Sequence, residues 1–504
     1  MSIWRHFSRA TATLPTSAQF RRVSRFFATF QAQTLRQRFM WAAFLIPFTI
    51  RAIPDLIAGP YPIGYDTISS YVPLMHAWAS GGTASQLNPQ IGGWLIFALF
   101  GLAYSATRID PITIAKFAGP VIYGVLGFSE YVFAQRILKW DNRKALLLVF
   151  FASIYFVSLR MSLDLFRNTL GLALMLLTLA FGKDVKSNRG LLEFSALVFL
   201  VTLTHLLVAT LLVSLVLIEA LSRRGPDWKR VTSVLPAVAY FVISLVGFQN
   251  QGITVIIDNN PTVEPLSAYT FSVYIFLPLI PMAVLGARSL GSSLMRNWLV
   301  ICSLGILVAT TPLSVSAQLV SPDRWSLMMF LPLVALSTEG FSLLRRSIPG
   351  TLNWGPLIAT AWLFLLLLLA TTYVGLQAEN AFPYYRYFGP SSMLQSSVPL
   401  RDSPDVVNSF QWLSSNIQTN SVIIAPNAVY GWASEYYTGK AAILTFKPGT
   451  TFDAMLQQAL QQGYTTLYTV WWANGQGWYG QPAVPPGFSL EHQSRDFGVF
   501  EYRI

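Results

Sequence analysis

The stretch "TLNWGPLIATAWLFLLLLLATTYVGL" (residues 351–376) decides the fold class, because no charged side chain interrupts it. A helix needs about 20 consecutive apolar residues to cross the hydrocarbon core of a bilayer. Similar runs recur along the chain, which is 53% hydrophobic and 11% charged, with a mean hydropathy of +0.48. Soluble domains carry about 25% charged residues. Because lipid offers backbone groups no hydrogen-bond partner, the sequence predicts a polytopic α-helical membrane protein.

Basic residues predict the orientation of these helices. The net charge is +12, and residues 1–38 contain seven arginines and no acid. By the positive-inside rule this tail is cytoplasmic and lies near anionic lipid, so the expected partner is a membrane and not nucleic acid. The same rule assigns five later basic clusters to the cytoplasm. These clusters are residues 136–144, 183–189, 222–230, 288–296 and 345–347.

The apolar runs predict about eleven spans, with Asp66 delivered to the external face by the first of them. Residues 91–107 are expected to be re-entrant or interfacial, because the basic clusters allow one net crossing between residues 59 and 137. Several spans are shorter than a bilayer crossing requires, which predicts an aqueous cavity in the outer leaflet. The spans are predicted at residues 39–57, 112–135, 145–159, 165–182, 191–204, 205–221, 231–247, 269–287, 297–312, 325–344 and 355–376.

The chain therefore divides into a basic cytoplasmic tail (1–38), a transmembrane domain (39–379) and an extracytoplasmic domain (380–504) of an integral plasma (inner) membrane protein. The last part has a different pattern. A helix is predicted over "DSPDVVNSFQWLSSN", with Asp402 or Ser403 as its N-cap. Strand-like runs "SVIIA", "AAILTF", "TTLYTVWW" and "FGVFEYRI" follow, with the helical "FDAMLQQALQQG" between the second and third. This alternation is typical of a small α/β domain.

Three polar groups fall on the predicted external side, where ionisable residues near membrane depth are functional candidates. One surrounds Asp66 in an external loop, one lies in "SLRMSLDLFRN" between two short spans, and one is "SPDRW" at the start of a later span. His205 marks a break between spans, and Glu264 lies in another external loop. The candidate residues are Tyr65, Asp66, Tyr71, His76, Arg160, Asp164, Arg167, Asn168, His205, Glu264, Asp323 and Arg324.

Simpler explanations exist for most of them. Asp66 is also compatible with an ordinary loop acid, and Asp164 with a helix-terminal charge paired to Arg167. A lone histidine such as His205 is more often structural. Arg324 is harder to explain, because a cation in the first turn of a helix opposes the helix dipole unless an anion lies nearby. The simpler alternative is that it pairs with Asp323 or extends to the membrane interface. No P-loop, glycine-rich nucleotide motif, serine nucleophile elbow or His/Cys metal cluster is present, so the expected donor is a lipid-linked phosphate.

The order of these features resembles the C-type (GT-C) superfamily of integral membrane glycosyltransferases. A basic tail, one span and an external loop with an acid are followed by "SLRMSLDLFRN", many spans and an external α/β domain containing "YTGK". The resemblance implies transfer of a sugar from a polyprenyl-phosphate-linked donor to an extracytoplasmic glycan, lipid or protein. It gives catalytic roles to Asp66 and Asp164 and the place of a cavity arginine to Arg324. Because Arg324 opposes the helix dipole, we expect it to bind the donor phosphate, with Arg167 or Arg160 as the second cation.

Two further predictions concern substrate contacts, which rest on the positions of polar residues, and a cofactor, which the resemblance implies. Tyr65, His76, His205 and Glu264 are the candidates for substrate binding. Many of these enzymes use a divalent metal, Mg or Mn, and its ligands here would be Asp66 and Asp164.

The chain departs from the family pattern at one motif, and two alternative functions stay open. The Trp-Trp-Asp-Tyr-Gly motif of the related oligosaccharyltransferase catalytic subunits has no counterpart, since "PNAVYGWASEYY" stands in its place and "WWANGQGWYG" lacks the acid. Transfer to asparagine is therefore not expected. A lipid-linked oligosaccharide flippase would predict inverted repeats, and none is visible. A ligase similar to O-antigen polymerases usually carries its main external loop between spans.

The orientation is directly testable. A reporter fused at residue 450 is expected to lie outside the cytoplasm and one fused at residue 20 inside, because every basic cluster then faces the cytoplasm. Alkaline phosphatase and green fluorescent protein fusions measure the two sides. A cytoplasmic reporter at residue 450 would remove the basis for an external active site.

Overall fold

The computed structural model describes a helical part followed by a small domain with a β-sheet. The described residues are 18–79, 94–182, 187–222, 225, 227–250, 265–310, 322–345, 354–374, 398, 400–418, 420–445, 452–474, 484 and 486–503.

The first half of the helical part ends near residue 221. It consists of α1 (Ala18–Ile57), a π-helical turn (Thr67–Tyr71), α2 (Val72–Ala79), α3 (Trp94–Thr107), α4 (Pro111–Arg136), α5 (Asn142–Ile154), α6 (Phe156–Asp164), α7 (Phe166–Phe181), α8 (Asn188–Thr204) and α9 (Leu206–Leu221).

The second half completes the helical part. It consists of α10 (Trp228–Ser233), α11 (Leu235–Asn250), α12 (Pro265–Phe276), α13 (Ile280–Leu290), α14 (Ser293–Ala309), α15 (Pro322–Met328), α16 (Phe330–Leu344) and α17 (Gly355–Val374).

Three of the described helical stretches are long and apolar enough to cross a membrane, namely Gln37–Ile57, Pro111–Arg136 and Pro322–Leu344. The number rises to five if each of two sharply bent helix pairs counts as one crossing. Shorter apolar helices accompany them, and the segment predicted to be re-entrant forms one of these, α3. The predicted total of about eleven spans stays a prediction.

Two predicted spans are interrupted in the structure. The span expected at residues 145–159 ends at Ile154, and α6 then turns by 68° from α5. Arg160 and Asp164, expected in a linker between spans, therefore lie on a short helix of their own. The span expected at 269–287 is divided likewise, with an 84° bend before α13. The break predicted at His205 is present, since its extended backbone separates α8 from α9.

Close backbone packing joins two helices of the second half. A Cβ added to Gly286 of α13 would overlap the carbonyl oxygen of Leu336 in α16, and one added to Gly340 would overlap that of Met282. Small residues at helix contacts allow this approach, which increases the dispersion contacts between helices.

The C-terminal part contains a five-stranded sheet in the order β2-β1-β3-β5-β4. Strands β1, β2 and β3 are parallel, whereas β5 pairs antiparallel with both β3 and β4. Its elements are α18 (Ser403–Asn416), β1 (Ser421–Ala425), α19 (Asn427–Tyr436), β2 (Ala442–Thr445), α20 (Phe452–Gln461), β3 (Thr466–Trp472), β4 (Ser489–Ser494) and β5 (Phe497–Arg503).

The predicted α/β alternation is present, and two elements were not predicted, α19 and β4. Asp402 occupies the N-cap position of α18, but its side chain makes no capping hydrogen bond. It accepts one from Trp472 Nε1 instead, at 3.3 Å. Buried apolar residues of α18, α19 and the strands form the core of this domain.

Helix α19 joins the small domain to the helical part. A Cβ added to Gly431 would lie 2.9 Å from the carbonyl oxygen of Ile68 in the π-helical turn. Ile68 itself belongs to the apolar core of the small domain. One helix turn further on, Glu435 pairs with His76 of α2 (3.2 Å between Oε2 and Nε2). The segment that carries Asp66 is therefore held against the α/β domain.

Candidate active site

Asp164, the last residue of α6, is the centre of the candidate site. Its carboxylate is buried and is bound by the Arg160 guanidinium, one helical turn earlier. The other carboxylate oxygen accepts a hydrogen bond from the backbone N–H of Asp66 at 3.3 Å. The Tyr71 hydroxyl donates to the Asp164 carbonyl oxygen at 3.2 Å. Two predicted acids, 98 positions apart in the chain, are thus neighbours.

Gly64 makes this approach possible. Its φ is +90°, a backbone conformation that disfavours residues with a Cβ. A Cβ at this position would also overlap the side chain of Asp164. The glycines and prolines around Asp66 therefore shape an irregular loop that fits directly over the end of α6.

Asp66 lies at the end of this loop, just before the π-helical turn. The sequence suggested an exposed loop carboxylate, but only 17% of the side chain is exposed, and Arg167 of α7 lies 3.7 Å from its Oδ2. Burial raises the pKa of Asp66, and the neighbouring negative charge of Asp164 adds to this effect. The nearby arginines Arg167, Arg324 and Arg160 lower it in part. The result is a carboxylate that binds a proton more readily than an ordinary aspartate.

Arg324 brings a third guanidinium to the same place. It lies in α15, as predicted, and is close enough to Asp66 to interact electrostatically. Asp164 and Asp66 thus pair with Arg160 and Arg167, whereas Arg324, which follows Asp323 in α15, has no ion-pair partner at salt-bridge distance among the described residues.

Two buried polar groups beside the arginines also lack partners. His205 Nδ1 and Asn168 Nδ2 make no hydrogen bond to any residue that the structure describes. His205 interacts electrostatically with Arg167 and Arg324. Asn168 lies one turn from Gly171, where an added Cβ would be 3.3 Å from the Cβ of His205. Unsatisfied buried polar groups are costly, so groups of this kind indicate a place for a polar ligand.

The other predicted residues are placed differently. Tyr65 is half-buried beside Asp66. His76, predicted to contact substrate, is exposed and faces Glu435 of α19, and its described contacts do not include the cluster. His76 follows Asp66 by ten residues in the sequence, but α2 carries it towards α19. Glu264 lies outside the described residues, as does the second half of "WWANGQGWYG" from residue 475.

The described residues do not fit the divalent metal that the resemblance implies. Both oxygens of Asp164 already accept hydrogen bonds, one from Arg160 and one from Asp66. Three guanidinium groups next to the two carboxylates oppose a further cation. Within the described ranges no three His, Cys, Asp or Glu side chains come together as a ligand group. Mg or Mn stays a prediction, and no step below depends on it.

Arg51 supports the site and was not identified from the sequence. It is buried, pairs with Asp55 one turn later on α1, and donates to the carbonyl oxygens of Ser162 (2.8 Å) and Leu163 (3.2 Å). These carbonyls belong to the last turn of α6, where helices leave acceptors unpaired. The sequence feature that could have revealed it is an Arg and an Asp four residues apart within an apolar run, because such residues are unusual there unless they pair.

Comparison with known proteins adds no family assignment. No protein-family model matches the sequence, and neither does any curated protein.

The contacts of Arg51 predict how substitutions in this pair change the free energy of unfolding. Arg51→Met is expected to destabilise the protein by about 3–5 kcal/mol, because it leaves Asp55 as a buried unpaired charge. The double variant Arg51→Met/Asp55→Leu should recover much of this loss. Thermal unfolding of detergent-solubilised protein measures the effect, with Arg38→Met as an exposed control on the same helix. A single variant as stable as the wild type would show that the pair does not hold α6.

Proposed function

We propose that the protein is a polytopic membrane glycosyltransferase of the GT-C type. It transfers a sugar from a polyprenyl-phosphate-linked donor to an extracytoplasmic glycan, lipid or protein. The observation that supports this proposal most is the cluster of Asp66 and Asp164 with three arginines, of which Arg324 has no ion-pair partner among the described residues.

The guanidinium of Arg324, which has no ion-pair partner among the described residues, favours an anionic ligand. Guanidinium groups bind phosphate oxygens through two parallel hydrogen bonds, and such bonds are stronger than those between neutral groups. The Nδ2 of Asn168, which has no hydrogen-bond partner among the described residues, offers another donor for a phosphate or sugar oxygen. A phosphate that lies between Arg324 and Arg167 would balance the charge and satisfy the helix dipole at the start of α15.

The surroundings favour an anion that is attached to lipid. The cluster lies where α6 meets α7 and where α8 meets α9, so it is enclosed by apolar helices. A water-soluble nucleotide donor would have no recognisable binding motif here. A polyprenyl chain along the apolar helices would deliver its phosphate to the arginines from the bilayer.

Asp66 is positioned to act as the general base. Its carboxylate takes the proton of the acceptor hydroxyl, whose oxygen forms the new bond to the anomeric carbon. The bond between the anomeric carbon and the phosphate oxygen breaks, and its electron pair stays on the phosphate. Arg324 and Arg167 stabilise that charge. The raised pKa of Asp66 suits this role because a stronger base accepts the proton more readily.

The first test is transfer by purified full-length protein supplied with polyprenyl-phosphate sugars and a glycan acceptor. Appearance of glycosylated acceptor together with the released lipid phosphate supports the proposal. Movement of the intact lipid-linked sugar across a vesicle membrane without bond cleavage would instead support a flippase.

Asp66→Asn is expected to reduce transfer at least about 100-fold, since general bases contribute about 10²–10⁴-fold to rates. Asp110→Asn is the matched control, because Asp110 is an exposed N-cap of α4 and asparagine caps equally well. The wild-type rate should fall as the pH drops through the pKa of Asp66, above the usual value of about 3.9, because the carboxylate must be unprotonated. Near-normal transfer by Asp66→Asn would exclude it as the base.

Arg324→Ala is expected to weaken donor binding by about ten- to a hundredfold, as charge-assisted hydrogen bonds contribute about 1.5–3 kcal/mol. Arg324→Lys should bind at an intermediate level, because lysine keeps the charge and loses the bidentate geometry. Binding of a polyprenyl-phosphate sugar to the purified variants measures this, with the exposed Arg108→Ala as control. Equal affinities in all four proteins would leave Arg324 as a helix-boundary residue.

A further inference from the structure

A second candidate site lies at the opposite ends of the helices that form the acid–arginine cluster. A cavity of about 430 Å³ opens between the C-terminal ends of α7 and α9 and the N-terminal ends of α8 and α14. Helix α7 separates the two places; its 16 residues span about 24 Å. The cavity is therefore distinct from the proposed donor site.

One side of the cavity is polar and incompletely paired. Arg296 and Asn297, in the first turns of α14, line it. Arg296 and Ser222, at the end of α9, are exposed and Asn297 is half-buried, and none of the three side chains has a hydrogen-bond or ion-pair partner within the described part of the chain. These groups offer a guanidinium, an amide and a hydroxyl to a ligand.

Arg230, which also lines the cavity, already has acidic partners. Arg230 is buried, lies 2.9 Å from Glu219 Oε1 and 3.5 Å from Asp227 Oδ2, and donates to the Gly182 carbonyl oxygen at 3.2 Å. It forms a fixed polar wall. Arg296 is thus the cation that the cavity can offer to a negatively charged ligand.

The remaining wall is apolar and lies along the helices. Leu215, Val216 and Ile218 of α9 face Phe194 of α8 and Leu179 of α7 around the cavity. The volume falls within the range of about 300–1,000 Å³ that is typical of small-molecule sites. A ligand that fits both walls has one compact anionic group and an apolar chain.

We propose that this cavity binds the phosphodiester head group of an anionic glycerophospholipid, with an acyl chain along α9. Arg296 and Asn297 hold the phosphate oxygens, and Ser222 contacts the glycerol. The inference rests on the proposed membrane embedding, in which this end of the helices faces the cytoplasmic leaflet with its anionic lipids. It does not require sugar transfer, so it remains testable if the proposed enzyme activity is absent.

Native mass spectrometry of the full-length protein in detergent, titrated with phosphatidylglycerol, tests this assignment. Arg296→Gln should lower the apparent affinity about tenfold, the scale of one charge-assisted hydrogen bond. The control Arg288→Gln removes an exposed arginine from the end of α13, outside the cavity lining, and should bind as the wild type does. Ile218→Trp keeps every charge but fills the cavity, and should also reduce binding.

The same titration with other ligands identifies the chemistry that the cavity recognises. Phosphatidylcholine and inorganic phosphate are each expected to bind at least about tenfold more weakly than phosphatidylglycerol, because one lacks net charge and the other lacks the acyl chain. Equal binding of phosphatidylglycerol and phosphatidylcholine would overturn the anionic assignment. Phosphate binding as tight as that of the lipid, or full lipid binding by Ile218→Trp, would overturn the lipid site. Thermal unfolding of each variant separates these results from misfolding.

Discussion

The candidate site depends on one requirement, that the buried carboxylate of Asp164 find hydrogen-bond donors. Moving an ion out of water costs several kcal/mol unless partners replace the water. Arg160 and the backbone N–H of Asp66 provide them, and Tyr71 binds the carbonyl group of the same residue. Because these donors come from α6, the loop that carries Asp66 and the π-helical turn, satisfying Asp164 fixes the relative positions of all three.

Backbone carbonyl groups near Asp66 also need hydrogen-bond donors. The unpaired carbonyls at the end of α6 receive hydrogen bonds from Arg51 of α1, whose charge is balanced by Asp55. Lys116 of α4 binds the carbonyl oxygens of Gly59 (2.6 Å) and Tyr61 (3.0 Å) at the start of the loop. Side chains of α4 and α6 therefore hold a loop that has little regular secondary structure, and Arg51 of α1 holds the end of α6. If Asp66 is the base, such a preorganised loop keeps its carboxylate in place without relying on the substrate to order it.

The sequence allowed the charged members of the site to be predicted because charge is rare in this chain. Asp66, Asp164, Arg167 and Arg324 stand out among apolar neighbours, and the structure brings them together. The bend between α5 and α6 was missed, since Tyr155 carries no proline or glycine signal and the bend arises from packing. The contact between His76 and Glu435 was also missed, because the two residues are 359 positions apart. Hydropathy reports which residues avoid water, but it does not report which buried groups pair.

The loop that carries Asp66 also has a second attachment, and this links the two parts of the protein. The loop contacts Asp164 on one side, and the π-helical turn that follows it contacts α19, where Ile68 packs against Gly431. Arg324 belongs to α15, which packs on α12, α14 and α16 and has a separate support. A shift of the α/β domain would therefore move the π-helical turn, and with it Asp66, relative to Arg324. If Asp66 is the base and Arg324 holds the phosphate, the position of the α/β domain also sets the distance between the group that acts on the acceptor and the group that holds the donor.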